Sequence, residues 1–145
     1  MSEIKVDTLT GKTTANDITV TVGASATMSL EQGLAKAWVN FDGMTATIRD
    51  DLNVSTLIDS ATGEFNVNYT NNMSNVNYSV QVTSSFGGTD VGGADDSDYL
   101  NGIGTLRRTS GSTSTTATKI ITASDVSTNT QDHAQSMVLV HGDLA

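Results

Sequence analysis

Acidic side chains cluster near the middle of this 145-residue chain, where Asp90, Asp95, Asp96 and Asp98 lie close together in sequence. Carboxylate oxygens are the ligands that Ca²⁺ prefers. The helix-loop-helix calcium pattern does not fit, because Leu100 occupies the place of a third oxygen ligand and no glutamate follows at the bidentate position. This acidic segment is therefore predicted to be a solvated polar loop. A calcium site of another geometry is the alternative, and no residue is assigned as a metal ligand.

The two histidines, His133 and His141, are too far apart in sequence for a local metal motif such as H-E-x-x-H. His141 alternates with Met137 and Leu139, which predicts a packed histidine on a strand. The sequence also lacks a G-x-S-x-G elbow, a phosphate-binding glycine loop and a paired-carboxylate signature. We therefore expect no enzymatic activity and no cofactor.

The long segment 85–114 is rich in Gly, Asp and Ser, which predicts a loop region, and such loops often carry function. Tyr99 is an amphipathic aromatic residue with hydrogen-bonding neighbours, a mixture that favours contact with a sugar or a protein. A tyrosine packed against its own domain is the alternative. The adjacent arginines can bind a carboxylate, a phosphate or a sugar acid, although a salt bridge to nearby aspartates is the commoner outcome. The predicted receptor-binding residues are Asp95, Asp98, Tyr99, Asn101, Arg107 and Arg108.

Composition excludes several classes of protein. A net charge of -9 argues against nucleic-acid binding, which needs a basic surface. No cysteine is present, so disulfides and thiolate metal sites are excluded. The N-terminus lacks the pattern of a signal peptide, and no apolar stretch is long enough for a membrane span. We expect synthesis in the cytoplasm and no membrane insertion.

The elements that must position these residues are predicted to be strands. The chain has no proline, and its Thr, Ser, Asn and Gly suit short strands joined by tight turns. Regular alternation from residue 37 to 84 predicts a meander of antiparallel strands. The segment "IGTLRR" allows one short strand, and "SMVLVHGD" predicts a central strand buried on both faces. The predicted fold is an all-β, antiparallel β-sandwich, jelly-roll-like, with one short N-terminal helix.

A hairpin is predicted in "AKAWVNFDGMTATIR", with a two-residue type I′ loop at Asp42-Gly43. That loop makes three apolar pairs on one face, namely Phe41 with Met44, Val39 with Ala46, and Ala37 with Ile48. Trp38 then lies on the polar face. Either another element covers that face, which is the more common case, or the ring contacts a partner.

The N-terminal residues 1–27 are predicted to be an extension with strands in "EIKV" and "DITVTV", and residues 28–145 the β-sandwich domain. Residues 28–36 form the one predicted helix, with Ser29 as N-cap and Gln32 completing a capping box. This helix packs on its own sheet, or three copies of it meet around an axis.

Three segments, "GLAKAWVNFDG", "ATIRDDLNVSTLIDSATGEFNVNYTNNMSNVNYSV" and "VLVHGDLA", together resemble a domain of tail-fibre and related virion proteins of bacteriophages, especially marine ones. The N-terminal "MSEIKVDTLTGKTTANDITV" is similar to the opening segment of such proteins. The chain differs from the family pattern at Met73-Ser74, where a proline commonly follows the methionine. The family has no fixed set of receptor-binding residues, so the candidate sites depend on the residues themselves.

The resemblance implies a structural virion protein, a tail fibre or tail-attached adhesin that takes part in host attachment. Its implied partners are further copies in a homotrimer, other tail or capsid proteins, and a host surface glycan or protein. Its implied location is the virion. Virion attachment is predicted for Ile4, Val6, Ile18 and Val20 of the N-terminal extension. The alternatives are a capsid decoration protein or head fibre, and a stand-alone carbohydrate-binding module.

Overall fold

The chain divides into two compact units, residues 1–34 and 35–145. Each unit contains its own antiparallel strands, and almost no helix is present among the described residues. The all-β prediction is therefore confirmed. The structure, a computed structural model, describes residues 4–12, 18–22, 24–85, 103–106, 113–123 and 130–145.

The first unit contains a hairpin of two strands, β1 (Thr19–Val22) and β2 (Ala26–Ser29), followed by α1 (Leu30–Gly33). The backbone N–H of Leu30 donates to the Ile18 carbonyl at 2.8 Å, which fixes the start of α1 beside β1. The boundary predicted between residues 27 and 28 falls inside β2, which pairs with β1 along its whole length.

Two predictions for this unit need correction. The Ser29 hydroxyl does cap α1 by accepting from the Gln32 N–H at 3.5 Å, but the helix ends at Gly33 instead of residue 36 because Leu34 is already extended. The strand predicted in "EIKV" is absent from residues 4–6, which have irregular backbone and pair with no described strand. The second predicted strand is confirmed as β1.

The described residues of the second unit form two four-stranded antiparallel sheets. Their strands are β3 (Ala37–Asp42), β4 (Thr47–Leu52), β5 (Val54–Ala61), β6 (Glu64–Tyr69), β7 (Ser79–Ser85), β8 (Ile103–Leu106), β9 (Ala117–Ala123) and β10 (Gln135–His141). One sheet has the order β4-β3-β10-β7 and the other β5-β6-β9-β8. The short strand expected in "IGTLRR" is present as β8.

Side chains from both sheets form one hydrophobic core, as the period-two patterns predict. Alternate residues of β3 and of β6 are buried along the whole length of each strand. The rings of Phe41 from β3 and Phe65 from β6 meet edge to face with centroids 5.0 Å apart. The buried apolar residues are Ala37, Val39, Phe41, Val54, Phe65, Val67, Tyr69, Met73, Ile120, Val138 and Val140.

The predicted register of the β3–β4 hairpin is wrong. Phe41 faces Ile48 instead of Met44, and the register shifts between Asn40 and Phe41. A two-residue type I′ loop needs positive φ at Asp42 and Gly43, whereas the positive φ of this loop is at Ala46, at 51°. The Asp42 carboxylate accepts the Met44 N–H at 2.9 Å, a local bond that favours the longer turn.

The final strand β10 is central in its sheet, as predicted, and pairs with β3 and β7. The prediction that both of its faces are buried is wrong. Ser136, Val138 and Val140 are buried in the core, but Met137 on the opposite face is 41% exposed. The apolar residues of β10 therefore face the core on one side of the strand and the open outer surface of the sheet on the other.

Candidate functional site

An open groove of about 380 Å³ lies on the outer face of the β4-β3-β10-β7 sheet, opposite the core. Val39 and Val138 also line it, although their side chains lie in the core. We call it the Trp38 groove. Its outward-facing side chains are Trp38, Asn40, Gln81, Thr83, Met137 and Leu139.

The register of three strands brings these side chains together. Trp38 of β3 lies opposite Leu139 of β10, which in turn lies opposite Gln81 of β7. The next row on the same face has Asn40, Met137 and Thr83 in the corresponding places. Directly opposed residues of neighbouring strands point to the same face, so the groove is a direct product of sheet pairing.

Apolar surface and uncharged polar groups are combined in the groove. Trp38 is half-buried, and Leu52, which faces it from β4, is 46% exposed. The Asn40 side-chain oxygen is buried and accepts no hydrogen bond within the described part of the chain. No charged side chain lines the groove among the described residues. The structure therefore places the Trp38 ring at an open surface with hydrogen-bonding groups beside it.

Comparison with known proteins identifies no relative: no protein family, no curated protein and no solved structure matches this chain. The assignment of the Trp38 groove as a candidate site depends on its own geometry.

A second cluster of polar contacts surrounds residues 131–134, which precede β10. The Gln131 N–H donates to the Thr122 carbonyl at 2.9 Å, and the Gly63 N–H donates to the Asp132 carboxylate at 2.6 Å. Arg49 donates to the Ala134 carbonyl at 2.6 Å. These bonds connect the segment to β9, to the β5–β6 turn and to β4, so the cluster has a structural role.

His133 lies inside this segment and is fully buried. Its backbone carbonyl accepts the Gly43 N–H at 2.8 Å. Burial lowers the pKa of the His133 imidazole, and the adjacent Asp132 carboxylate opposes that shift. His141 is half-buried at the end of β10, where it faces Ser79, in agreement with the predicted strand histidine.

Neither metal-binding geometry nor a membrane helix is present in the described ranges. No group of three or more His, Cys, Asp or Glu side chains there could hold a metal ion. No helix in the same part of the chain has the length and apolar character to cross a membrane.

The predicted receptor-binding residues Asp95, Asp98, Tyr99, Asn101, Arg107 and Arg108 all lie outside the described residues. The acidic segment 90–98, with its open calcium question, lies outside them too. Both remain predictions.

The four predicted virion-attachment residues differ in their surroundings. Ile4 and Val6 are 85% and 57% exposed on irregular backbone. Ile18 is half-buried just before β1, and Val20 on β1 is 36% exposed opposite Met28. The structure therefore brings together an exposed apolar pair on the hairpin, and it leaves Ile4 and Val6 outside any sheet.

Sequence reasoning singled out Trp38 but missed the other residues of the groove. Asn40, Gln81 and Met137 come from three strands whose order cannot be read from spacing. The sequence does contain a sign of an apolar outer surface. Trp38 lies on the polar face of its hairpin, and Met137 and Leu139 alternate with core residues in β10. Only the pairing of β3 with β10 places these residues side by side.

Proposed function

We propose that this chain is a structural protein of a bacteriophage virion, a tail fibre or tail-attached adhesin that takes part in host attachment. The observation that carries the proposal is the division into a small first unit with exposed apolar side chains and a larger β unit that presents an open groove. Exposed apolar side chains are available for contact with a partner, and an open groove is a common place for a ligand. The resemblance to phage fibre proteins supports the same assignment of attachment and display.

The proposal includes a β-sandwich and a homotrimer. The described part of this unit has eight strands in two sheets with one shared core, which favours a sandwich, and eight is also the strand number of a jelly roll. Ile4, Leu9 and Leu34 of the first unit are each more than half exposed, which favours contact with further copies or with other virion proteins. Sedimentation of the purified chain measures the oligomeric state, and a monomer at all concentrations would contradict the trimer.

The location of the chain in the particle tests the main proposal. We expect mass spectrometry of separated heads and tails from the encoding phage to find the protein with the tails. Recovery with the heads would instead support a capsid decoration protein or head fibre. Absence from purified particles would overturn a virion role.

The first unit is proposed to dock the protein to the particle. A chain that lacks residues 1–34 should keep the unfolding transition of the β unit, because every core residue in the described part of the chain lies in 35–145. It should fail to enter particles when it replaces the full chain. Normal incorporation would show that the docking surface lies in the second unit.

The loop residues keep their predicted role in receptor binding. Replacing Tyr99 with Ala should weaken adsorption to host cells while oligomeric state and thermal unfolding remain unchanged. Adsorption equal to that of the parent would reject Tyr99 as a receptor contact, and a loss of stability would place its side chain in a core or an interface.

The Trp38 groove favours a second candidate function, a stand-alone carbohydrate-binding module. A half-buried tryptophan at an open surface, with amide side chains beside it, is suited to a ligand that is apolar on one face and hydroxylated at its edge. A monomer that binds sugars and is absent from particles would favour this function over the adhesin.

A further inference from the structure

We infer that the Trp38 groove binds a neutral oligosaccharide, with a pyranose ring stacked on the Trp38 indole and hydroxyls bound by the flanking amides. This inference supplies the ligand class for the attachment function proposed above and rests on that function for its biological role. A pyranose presents C–H groups on one face and hydroxyls around its edge. A flat aromatic ring with hydrogen-bonding neighbours matches both surfaces.

The spacing of the side chains fits such a ligand. Asn40 lies two residues from Trp38 on the same strand face, a separation of about 7 Å. Gln81 lies two strands away from Trp38, a separation of about 10 Å. The amides therefore lie on two sides of the indole at distances that the hydroxyls of a short oligosaccharide span. The groove volume of about 380 Å³ is within the range of small-molecule sites.

The polar atoms of the groove support a hydroxylated ligand over a second copy of the chain. The Asn40 side-chain oxygen is buried and accepts no hydrogen bond from the described residues. Rotation of the amide would bring this oxygen within reach of a ligand hydroxyl, which could then donate the missing hydrogen bond. A dry contact between two sheet faces would bury Asn40, Gln81 and Thr83, and each polar group that failed to meet a donor or acceptor of the other copy would cost free energy.

The charge of the molecule excludes an acidic sugar as the preferred ligand. No charged side chain among the described residues lines the groove, so a carboxylate or sulfate would find no cation there. The net charge of -9 adds a general repulsion of polyanions. The ligand class that fits is therefore a neutral hexose or N-acetylhexosamine oligomer.

Trp38 is the only tryptophan of the chain, so its fluorescence reports on this groove alone. We would titrate the full chain with cellohexaose, maltohexaose, mannohexaose and chitohexaose, and with hexagalacturonate as the anionic comparison. We expect at least one neutral probe to shift the emission saturably and to reduce quenching by acrylamide. Hexagalacturonate should do neither. No response to any neutral probe at millimolar concentration would overturn the inference.

Two variants and a matched control locate the binding. Asn40→Ala and Gln81→Ala should each weaken the binding of the best probe by about two- to tenfold, the effect of losing one hydrogen bond of ordinary strength. Asn66→Ala, on the outer face of the other sheet, should bind like the parent. Gln81 is exposed on β7, so its replacement tests binding even if Asn40→Ala unfolds. Parent-like affinity of Gln81→Ala and of folded Asn40→Ala would overturn the site.

The remaining outcomes separate this inference from the attachment proposal. An emission shift that depends on protein concentration without sugar, together with faster sedimentation, would identify a second copy in the groove and overturn glycan binding. A chain found in tails that binds no neutral probe would keep the attachment proposal and reject the ligand. A chain that binds a probe and is absent from particles would keep the ligand and reject the attachment proposal.

Discussion

The outer faces of the two sheets differ although both sheets follow the same alternation. On the β5-β6-β9-β8 sheet, the outward amides have partners within the sheet: Asn66 donates to the Ser60 hydroxyl at 2.8 Å, and Asn68 donates to the Thr56 hydroxyl at 3.0 Å. On the other sheet, Asn40 leaves a buried oxygen without a bond from the described residues, beside the half-buried Trp38. Asn66 and Asn68 on one outer face bond to neighbouring side chains, whereas Asn40 on the other outer face has an oxygen that no described residue bonds.

The inner faces of the two sheets do not differ in this way, because they pack against each other in one core. Phe41 and Phe65 come from different sheets and contact each other. Replacing either with Ala should lower the free energy of unfolding by about 3–5 kcal/mol, as for other buried aromatic side chains. Urea denaturation measures the loss. A cost below about 1 kcal/mol for only one of the two would show that the sheets do not depend equally on this contact.

The β5–β6 turn should be the most sensitive backbone position. Gly63 has a φ of 68°, and a Cβ there would lie 2.4 Å from the Gln131 nitrogen and 2.5 Å from the Thr122 oxygen. Gly63→Ala should therefore cost at least about 2 kcal/mol of unfolding free energy. Gly33→Ala is the matched control, because its Cβ meets only the flexible end of Met28. Equal costs for the two variants would contradict the role of the turn.

The buried His133 should make stability depend on pH. Its pKa is lowered by burial from an ordinary value near 6.5, so the folded state favours the neutral imidazole. The stability that this provides is present above pH of about 6.5 and falls as the pH drops toward the folded pKa, by up to about 1.4 kcal/mol per pH unit. His133→Gln should flatten the slope between about pH 7 and pH 5, whereas Asn66→Ala, which changes no ionisable group, should keep it. An unchanged slope in His133→Gln would reject the assignment.

The smallest expected change in unfolding free energy tests the difference between the two outer faces directly. Asn66→Ala should cost about 0.5–1 kcal/mol because it removes the bond to Ser60. Asn40→Ala should change the unfolding free energy by less than about 0.5 kcal/mol, since its side-chain oxygen has no bond to lose. Chemical denaturation of both variants beside the parent measures the difference. A larger cost for Asn40→Ala would show that its amide serves the fold and not the groove.

The sequence by itself determined most strands of the second unit and the inward faces of two of them. Period-two alternation identified the inward faces of β3 and β6, including Phe41, Phe65 and Val67, because side-chain direction in a strand follows directly from residue order. The cap at Ser29 was likewise readable, since it depends on atoms three residues apart.

Only the tertiary structure decided the register of the β3–β4 hairpin and the composition of the groove. Local turn rules favoured a two-residue loop at Asp42-Gly43, but the Gly43 N–H is held by the His133 carbonyl, ninety residues along the chain. Trp38, Gln81 and Met137 become neighbours only because β10 inserts between β3 and β7. Strand order depends on the free energy of packing distant segments together, and residue spacing carries no record of that order.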